Sequence, residues 1–490
     1  MSAAFDLYPT SAPAPVRPPP PPQNLISQPA VIASVLVVDV AAIALSGALV
    51  EIPAGGPWSD LQTPTAIVLA ATLAVLAILK ARWSYTIAAL SSPSRQALDL
   101  TVAFALVFGG LLASSVFLAD DPAPVRQWVV AWVASAGALL AVSRAVLARK
   151  AAIWSREGRL ARRTVIVGGG EAAERLITGL ERSGRDSIRI LGLFDDRDDA
   201  RSPEMVGAYC KLGRFADLEG FCREQRIDLL IIALPPTAEE RILQIMKKLW
   251  VLPVDVRVAA HESKLKLRSR AYNYIGDVPF LPVFDKPMSD WSVALKAIED
   301  RVLAAIGLAA LSPLLALIAL AVKFDSKGPV FFKQKRHGFN NEEIDVYKFR
   351  SMYTDRCDQS GVAAVTRGDP RVTRVGAFLR RSSLDELPQL INVLRGELSL
   401  VGPRPHVMQA KASGVNYHEI VDSYFARHKV KPGITGWAQV NGWRGETDTM
   451  EKVEQRVAHD LFYIDNWSML FDLRILAMTP LSLVTTKNAY

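Results

Sequence analysis

Four apolar runs, at roughly 29–51, 64–82, 98–119 and 127–148, constrain the first third of this chain more than any other feature. Each is close to the ~20 residues a helix needs to cross the hydrocarbon of a bilayer, where a backbone must satisfy its own polar groups. The charges between the runs set an orientation. Lys80, Arg82 and Arg95 flank the second connection, whereas the first carries Asp60 and neither Lys nor Arg. The third has Asp120 and Asp121 against Arg126, and Arg144, in the last turns of the fourth run, is followed by Arg149, Lys150 and Arg156. Basic residues stay on the cytosolic side, so the N-terminus and everything after residue 150 are expected there. Asp39 lies inside the first run, where a charge is costly. It is either a buried polar contact between helices or part of a lipid path.

The length of 490 residues allows two or three domains. A mean hydropathy of +0.18 together with 22% charged residues describes membrane segments joined to soluble domains. The net charge of +8 fits anionic partners such as phosphates or an anionic lipid surface. Nucleic acid is disfavoured as a partner, because the basic segments alternate with Gly/Pro turns and apolar anchors. Three cysteines (Cys210, Cys222, Cys357) without CxxC spacing indicate neither a disulfide framework nor a zinc site, and reduced thiols are expected. The first 28 residues, with Pro18 to Pro22 in a row, read as a disordered or polyproline II tail without the basic and apolar regions of a signal peptide.

Residues 163–285 read as a Rossmann-like α/β domain. Thr164-Val165-Ile166-Val167 is a strand, followed by Gly168-Gly169-Gly170 and a helix from Glu171. This is a Gly-x-Gly-x-x-Ala variant of the nucleotide fingerprint, in which glycines let a phosphate approach a helix N-terminus. Ile190–Phe194 ends in Asp195-Asp196, near where a ribose-binding acid falls, and Leu229–Leu234 is another buried strand. Asp195, Asp196 and Asp199 also spell an Asp-Asp-x-x-Asp, here read as a solvated loop.

A fifth apolar run, Ala305 to Val322, reaches only ~27 Å as a straight helix and is interrupted by Ser312-Pro313. Proline removes an intrahelical hydrogen bond, and Ser312 is placed to bond the freed backbone. Arg301 precedes the run and Lys323, Lys333, Lys335 and Arg336 follow it, so both ends are expected on the cytosolic face. A re-entrant helix hairpin that dips into one leaflet satisfies this; an ordinary fifth span would put the basic C-terminal part outside.

Beyond residue 324, phosphate-suited clusters follow one another. They are Gly328–Arg336, Tyr347-Lys348-Phe349-Arg350-Ser351-Met352, Val401-Gly402-Pro403-Arg404-Pro405, and Lys431–Gly442. Arginines framed by Gly and Pro are held in place for bidentate phosphate binding. Gly436, Gln439 and Asn441 offer backbone and amide groups to a base or sugar. Between these clusters stands Arg380-Arg381-Ser382-Ser383-Leu384-Asp385-Glu386-Leu387-Pro388-Gln389, two adjacent carboxylates behind two arginines. A carboxylate kept ionised among cations beside a membrane suits nucleophilic attack on an anionic diphosphate. The plainer reading is a helix start, since Ser383-x-x-Glu386 matches a capping box.

In the order and spacing of these clusters, from Ser312-Pro313 to Asn488-Ala489-Tyr490, residues 290–490 resemble the bacterial sugar transferase family, the monotopic polyprenyl-phosphate sugar-1-phosphate transferases. With the four spans and the middle domain, nearly the whole chain looks like the large form of that family. The resemblance implies an α-helical membrane bundle (29–150), the α/β middle domain (163–285) as a regulatory or oligomerising module, and an α-rich catalytic domain (290–490) with a re-entrant helix at 305–322. It implies transfer of sugar-1-phosphate from a UDP-sugar, glucose or galactose, to undecaprenyl phosphate on the cytosolic face of the bacterial inner membrane, starting exopolysaccharide, capsule or O-antigen synthesis. Asp385 then matches the nucleophile and a magnesium ligand, and Glu386 the second acid. Arg380 and Arg404 match phosphate-contacting arginines, with Lys348 and Arg350 as further partners. Gly436 and Gln439 match a nucleotide-binding turn, and Ser312 and Pro313 the break in the membrane helix. Magnesium is the expected cofactor, and dimerisation is an expectation from the family alone.

Other readings have less support. A nucleotide-sugar oxidoreductase or dehydratase built on the middle domain calls for a Tyr-x-x-x-Lys, and none occurs in the chain. A non-catalytic export scaffold would have no need of the acidic pair. The six histidines lack metal spacing, and His337 beside Arg336 reads as a surface residue. Trp437, Trp443 and Trp467 suit the bilayer interface or base stacking, and Phe462–Ser468 has the mixed character of an interfacial helix.

Overall fold

A computed structural model of the chain describes residues 26–50, 62–118, 122–183, 188–197, 204–225, 227–234, 238–260, 273–275, 278–354, 369–405, 411–412, 415–416, 421, 424–443 and 449–485. The proline run, Asp60, Asp120, Asp121, Asp199, Cys357 and the closing Asn488-Ala489-Tyr490 lie outside the described residues.

One unit comprises Pro22–Leu160 and Met288–Val302. Its helices are α1 (Gln28–Leu49), α2 (Gln62–Ala81), the short α3 (Ile87–Leu90), α4 (Pro93–Leu118) and α5 (Pro122–Arg156). All but α3 are long and apolar enough to cross a membrane. Pro29, Pro64, Pro93 and Pro122 stand in the first turns of the four long helices, where a missing N–H costs nothing. Helix α1 packs on α2 and α5, and α4 on the same two. The α1–α5 contact is close because Gly47 faces Trp132, whose indole lies 2.5 Å from where a Cβ would stand. The Trp132 indole N–H donates to the Ile43 carbonyl (2.8 Å) and that of Trp128 to the Gly47 carbonyl (3.3 Å).

Asp39 proves to be a polar contact between helices. Its carboxylate accepts from Arg144 of α5 at 2.5 Å and from the Tyr85 hydroxyl at 2.8 Å. Arg144, read in the sequence as a charge in the last turns of the fourth run, is therefore spent inside the bundle, 7% exposed. Arg82 is likewise paired, donating to Asp99 at 2.6 Å, with the Ser84 hydroxyl on the other oxygen at 2.7 Å.

The fifth apolar segment is longer than its sequence implied. Helix α9 (Asp290–Asp325) runs 36 residues with Pro313 inside it, about 54 Å if straight at 1.5 Å per residue. Both arms flanking Ser312-Pro313 belong to this helix, which carries the proline inside it. The physical reason is local: Pro313 leaves the Ala309 carbonyl without its N–H donor, and the Ser312 hydroxyl donates to that carbonyl at 2.8 Å.

The second unit contains Ala161–Pro287 and Leu303–Tyr490. Its first part is an eight-stranded sheet of β1 (Arg162–Val167), β2 (Ile188–Phe194), β3 (Met205–Val206), β4 (Tyr209–Gly213), β5 (Leu229–Ile232), β6 (Asp255–Ala259), β7 (Asn273–Ile275) and β8 (Val278–Phe284). The order is β3-β4-β2-β1-β5-β6-β8-β7, with β4, β2, β1, β5 and β6 parallel and antiparallel pairs at both edges. Ile166, Leu229 and Ile231 face one way, against α6 (Glu171–Ser183); Val165, Val167, Leu230 and Ile232 face the other, against α7 (Phe215–Glu224) and α8 (Glu239–Leu249). Strands covered on both faces explain the unbroken apolar runs in the sequence.

The second part begins at the end of α9 with the hairpin β9 (Phe331–His337) and β10 (Glu343–Phe349). Helices α10 (Arg374–Ser382) and α11 (Gln389–Arg395) follow, separated by one 3-10 turn, Leu384–Glu386. Strand β11 (Ser399–Val401) precedes the two-residue pair β12 (Lys411–Ala412) and β13 (Val415–Asn416). β14 (Gly433–Thr435) pairs parallel with β11, and α12 (Trp437–Val440), α13 (Met450–Asp465) and α14 (Met469–Thr485) complete the chain.

The buried Asp39–Arg144 pair yields a double-mutant test. Arg144→Met alone should cost about 3–5 kcal/mol, because it strands a buried carboxylate, while Asp39→Leu with Arg144→Met should recover most of that loss. Unfolding of the purified protein in detergent micelles measures both; equal losses in the single and double variants would contradict the pairing.

Candidate active site

The acidic pair sits on a turn that the surrounding apolar residues force. Leu384 and Leu387 pack with Leu315, Ile318 and Val322 of α9, Phe349 of β10 and Leu379 of α10. The two acids stand between these leucines on the turn Leu384–Glu386. The capping box is not formed. Ser383 ends α10 in the left-handed conformation (φ 58°, ψ 18°), a state that costs a non-glycine residue roughly 1–2 kcal/mol, and the chain then enters the 3-10 turn.

Glu386 is clamped. Lys348 donates to one of its oxygens at 2.9 Å, and Arg404 forks across both at 2.6 and 3.1 Å. Burial opposes the charge, but the Arg404 and Lys348 cations and their hydrogen bonds outweigh it, holding the carboxyl well below the usual range. Asp385, 9% exposed, takes no hydrogen bond among the described residues. Burial pushes its carboxyl up; Lys348 opposes this, the Glu386 charge adds to it, and Arg380 and Arg404 oppose it again. Two carboxylates on consecutive residues are thus driven apart, one fixed as an anion and one left uncommitted, the separation that assigns different chemical roles to like groups.

Three stretches of chain bring these cations together. Lys348 comes from β10, whose partner in the hairpin register is Phe332, so Phe332, Gln334 and Arg336 share its face. Arg336, within the first basic cluster of the sequence, is a site cation that spacing alone did not single out. Burial and repulsion from Arg404 lower it to about 10, against the pull of Glu386. The inward alternation of β9 was the signal available for it. Asn392, fully buried on α11, was also not singled out. Its amide accepts from the Tyr347 N–H at 3.0 Å and donates to the Asp345 carbonyl at 2.7 Å and to Glu397 at 2.6 Å, fixing β10 against α11.

Arg404 follows a crossing of two glycine-bearing strands. A Cβ on Gly433 would lie 2.1 Å from the Gly402 nitrogen, and one on Gly436 would lie 2.3 Å from the Gly402 carbonyl oxygen. The Gly402 N–H donates to the Thr435 carbonyl and the Gly433 N–H to the Pro403 carbonyl, both at 2.9 Å. Gly436 therefore permits a close backbone approach. Gln439, read from sequence as a ligand-facing amide, donates to the Ile434 carbonyl at 3.2 Å, and its buried amide oxygen has no hydrogen-bond partner among the described residues.

Arg380 is anchored through its Nε to the Ser351 hydroxyl at 2.8 Å, and its charge acts on Asp385. Arg350 is engaged elsewhere. Its guanidinium donates to the carbonyls of Val322 (3.0 Å) and Ser326 (2.6 Å), collecting the C-terminal end of α9. Ser312 and Pro313 lie within α9 and hold no contact with the dyad among the bonds described. His337 is half-buried against His428, with ring centroids 5.7 Å apart, and is not a surface residue. Trp437 packs between Phe462 and Phe471, and the Trp467 indole donates to Asp472 at 3.0 Å. In the middle domain, the acid expected to meet a ribose is occupied: Asp195 pairs with Arg197 at 2.8 Å, and Arg197 also donates to the Gly169 carbonyl.

No three His, Cys, Asp or Glu side chains converge among the described residues. With Glu386 filled, Asp385 is the carboxylate on hand. That donor set fits a hard divalent cation held by one protein carboxylate and by the phosphate oxygens of a substrate, the manner in which magnesium is usually bound.

A family model described as bacterial sugar transferase matches residues 291–486, and one described as CoA-binding domain matches 83–260. A Komagataeibacter xylinus protein named undecaprenyl-phosphate glucose phosphotransferase is 40% identical over 333 residues, 68% of this chain and 61% of its own length. The Escherichia coli (strain K12) protein named UDP-glucose:undecaprenyl-phosphate glucose-1-phosphate transferase is 38% identical over 396 residues, covering 79% of this chain and 83% of that one. A Caulobacter vibrioides protein of the same name is 50% identical over 195 residues, 40% of this chain and 72% of its own. Identity sustained over most of two chains, with a family match laid over every residue of the clamp, establishes that this chain belongs to the bacterial sugar transferase family.

Proposed function

We propose that the chain is a phosphoglycosyl transferase that moves sugar-1-phosphate from a UDP-sugar to undecaprenyl phosphate and releases UMP, the first membrane step of exopolysaccharide, capsule or O-antigen synthesis. The names of the relatives favour UDP-glucose as donor. The observation that carries the reading is the asymmetry of the dyad: Glu386 saturated by Lys348 and Arg404, Asp385 uncommitted beside it.

An Asp385 oxygen attacks the phosphorus bonded to the sugar. The bond from that phosphorus to the bridging oxygen breaks, and UMP departs with the electron pair. An oxygen of the lipid phosphate then attacks the same phosphorus, and the Asp385 carboxylate is released unchanged. Glu386 keeps Lys348 and Arg404 fixed at the edge of the site, where their charge, with that of Arg380, stabilises the phosphoryl oxygens. Magnesium, when bound by Asp385 and the diphosphate, supplies charge neutralisation. Gly436 and Gln439 border the donor side, and Arg350 positions the catalytic part on the membrane helix.

The orientation belongs to the same proposal. Positive charge at both ends of the apolar part of α9 (Arg301, then Lys323) and the need for a cytosolic nucleotide donor support a helix that bends at Pro313 and returns to the cytosolic face of the inner membrane. Arg301→Cys and Ser326→Cys should both react with an impermeant thiol reagent from the cytosolic side of oriented vesicles; reaction of either from the opposite side alone refutes this topology.

Asp385→Asn should lower UMP release and lipid-linked product by about 10⁴-fold or more, as loss of a covalent nucleophile does. Turnover at the parental rate would remove Asp385 from the mechanism. The pH profile gives an independent check. Ionised Asp385 is required and burial raises its carboxyl in the fold, so activity is lost as pH falls through that raised value, at higher pH than for a free aspartate. Glu386→Gln removes a charge that raises Asp385 and leaves Lys348 and Arg404, so the acid limb of kcat/KM should move to lower pH. A shift to higher pH contradicts the assignment.

A further inference from the structure

Both cations that clamp Glu386 trace back to elements seated on the middle domain. Lys348 belongs to the β9–β10 hairpin, whose turn is Phe339–Asn341. From that turn the Asn340 side-chain amide donates to the Cys222 carbonyl, in the last turn of α7, at 3.2 Å. Arg404 is held by a separate stretch, the 3-10 segment Tyr424–Lys429. Arg427, 1% exposed, donates to the Arg404 carbonyl at 2.8 Å and pairs with Asp460 of α13 at 2.7 Å. The residues flanking it reach the middle domain. The Phe425 ring lies under the Arg223 guanidinium at 4.6 Å, and the Lys429 ammonium lies over Trp250, just past the end of α8, at 5.1 Å. Between the two stretches, His337 of β9 and His428 are in ring contact.

The cost of this arrangement argues for a role. Burying an arginine and an aspartate together is expensive, and such a pair is weak evidence for stability alone. Here its product is the fixed backbone of Arg404, the residue that forks Glu386. We propose that Arg427 is a positioning residue for the transfer reaction, acting through Arg404, and that the middle domain sets the clamp on Glu386 by bracing Tyr424–Lys429 and the Asn340 turn. The middle domain thereby acquires an output: whatever shifts the ends of α7 and α8 is felt at Arg404 and Lys348. This rests on the transferase reading above and adds to it the surface through which the reaction is governed.

The experiment uses the full-length protein in detergent with UDP-glucose and undecaprenyl phosphate, comparing Arg427→Met, Arg427→Lys and a paired Arg223→Ala/Trp250→Ala variant at the seat. The readout is kcat and KM per folded protein, the folded fraction being counted by size exclusion. A displaced Arg404 leaves the clamp misplaced, so kcat should fall by about 10²-fold in Arg427→Met, the scale of a small misplacement of catalytic groups, with Arg427→Lys recovering part of the loss. The seat pair should reduce kcat about threefold to thirtyfold with KM little changed. A merely structural role lowers the amount of folded protein and leaves kcat per folded protein where it was. If Arg427→Met does not fold, the seat pair decides alone. An unchanged kcat per folded protein in the seat pair overturns the proposal. Absence of transfer by the parent chain sinks the transferase reading and this one together, whereas an active parent with an equally active seat pair sinks this one only.

Discussion

The fork that Arg404 makes on Glu386, closed from the other side by Lys348, is the interaction on which the catalytic part depends. A buried carboxylate is unfavourable unless it is matched by charge and hydrogen bonds together, and here three donors meet two oxygens. The match draws residues 348, 386 and 404 from three separate stretches, so each stretch has to be held independently. Asn392 holds β10, the leucines flanking the dyad hold the turn, and the crossing of Gly402 with Gly433 and Gly436 holds the loop of Arg404. Asp385 owes its freedom to this arrangement, because its neighbour takes up the nearest cations.

Much of this was legible in the sequence, for physical reasons. Four runs of about twenty apolar residues admit few structures besides membrane helices, and the β1-Gly-α6 pattern of the middle domain announces a parallel sheet. Asp385 and Glu386 stood out as paired acids behind two arginines and Arg404 through its Gly and Pro frame, while Lys348 and Arg380 drew their roles from the resemblance to the family. Arg336 and Asn392 did not stand out. A single arginine in a basic strand, or one asparagine on a seven-residue helix, has a role fixed by register and packing that local spacing does not encode. Arg350 was misleading for a related reason: two residues after Lys348 it reads as a phosphate ligand, but it lies just past the end of β10, and its guanidinium is taken up by carbonyls at the end of α9.

The membrane unit teaches a related lesson about counting charges. Arg144 and Arg82 both enter a positive-inside tally, yet each is bound to a carboxylate, Asp39 and Asp99. The charges that remain near the helix ends, Lys80, Arg95, Arg149 and Lys150, still favour the same orientation. A carboxylate with an arginine between α1 and α5 has more to do with how two helices find their register than with which side of the bilayer they end on.

The glycine crossing has an implication for diversification. At Gly402, Gly433 and Gly436 even one methyl group collides with main-chain atoms rather than with a side chain that can yield. Change in descendants of such a protein would therefore fall on the residues around this knot, while the knot itself stays frozen, an immobile hub in an otherwise variable part of the chain.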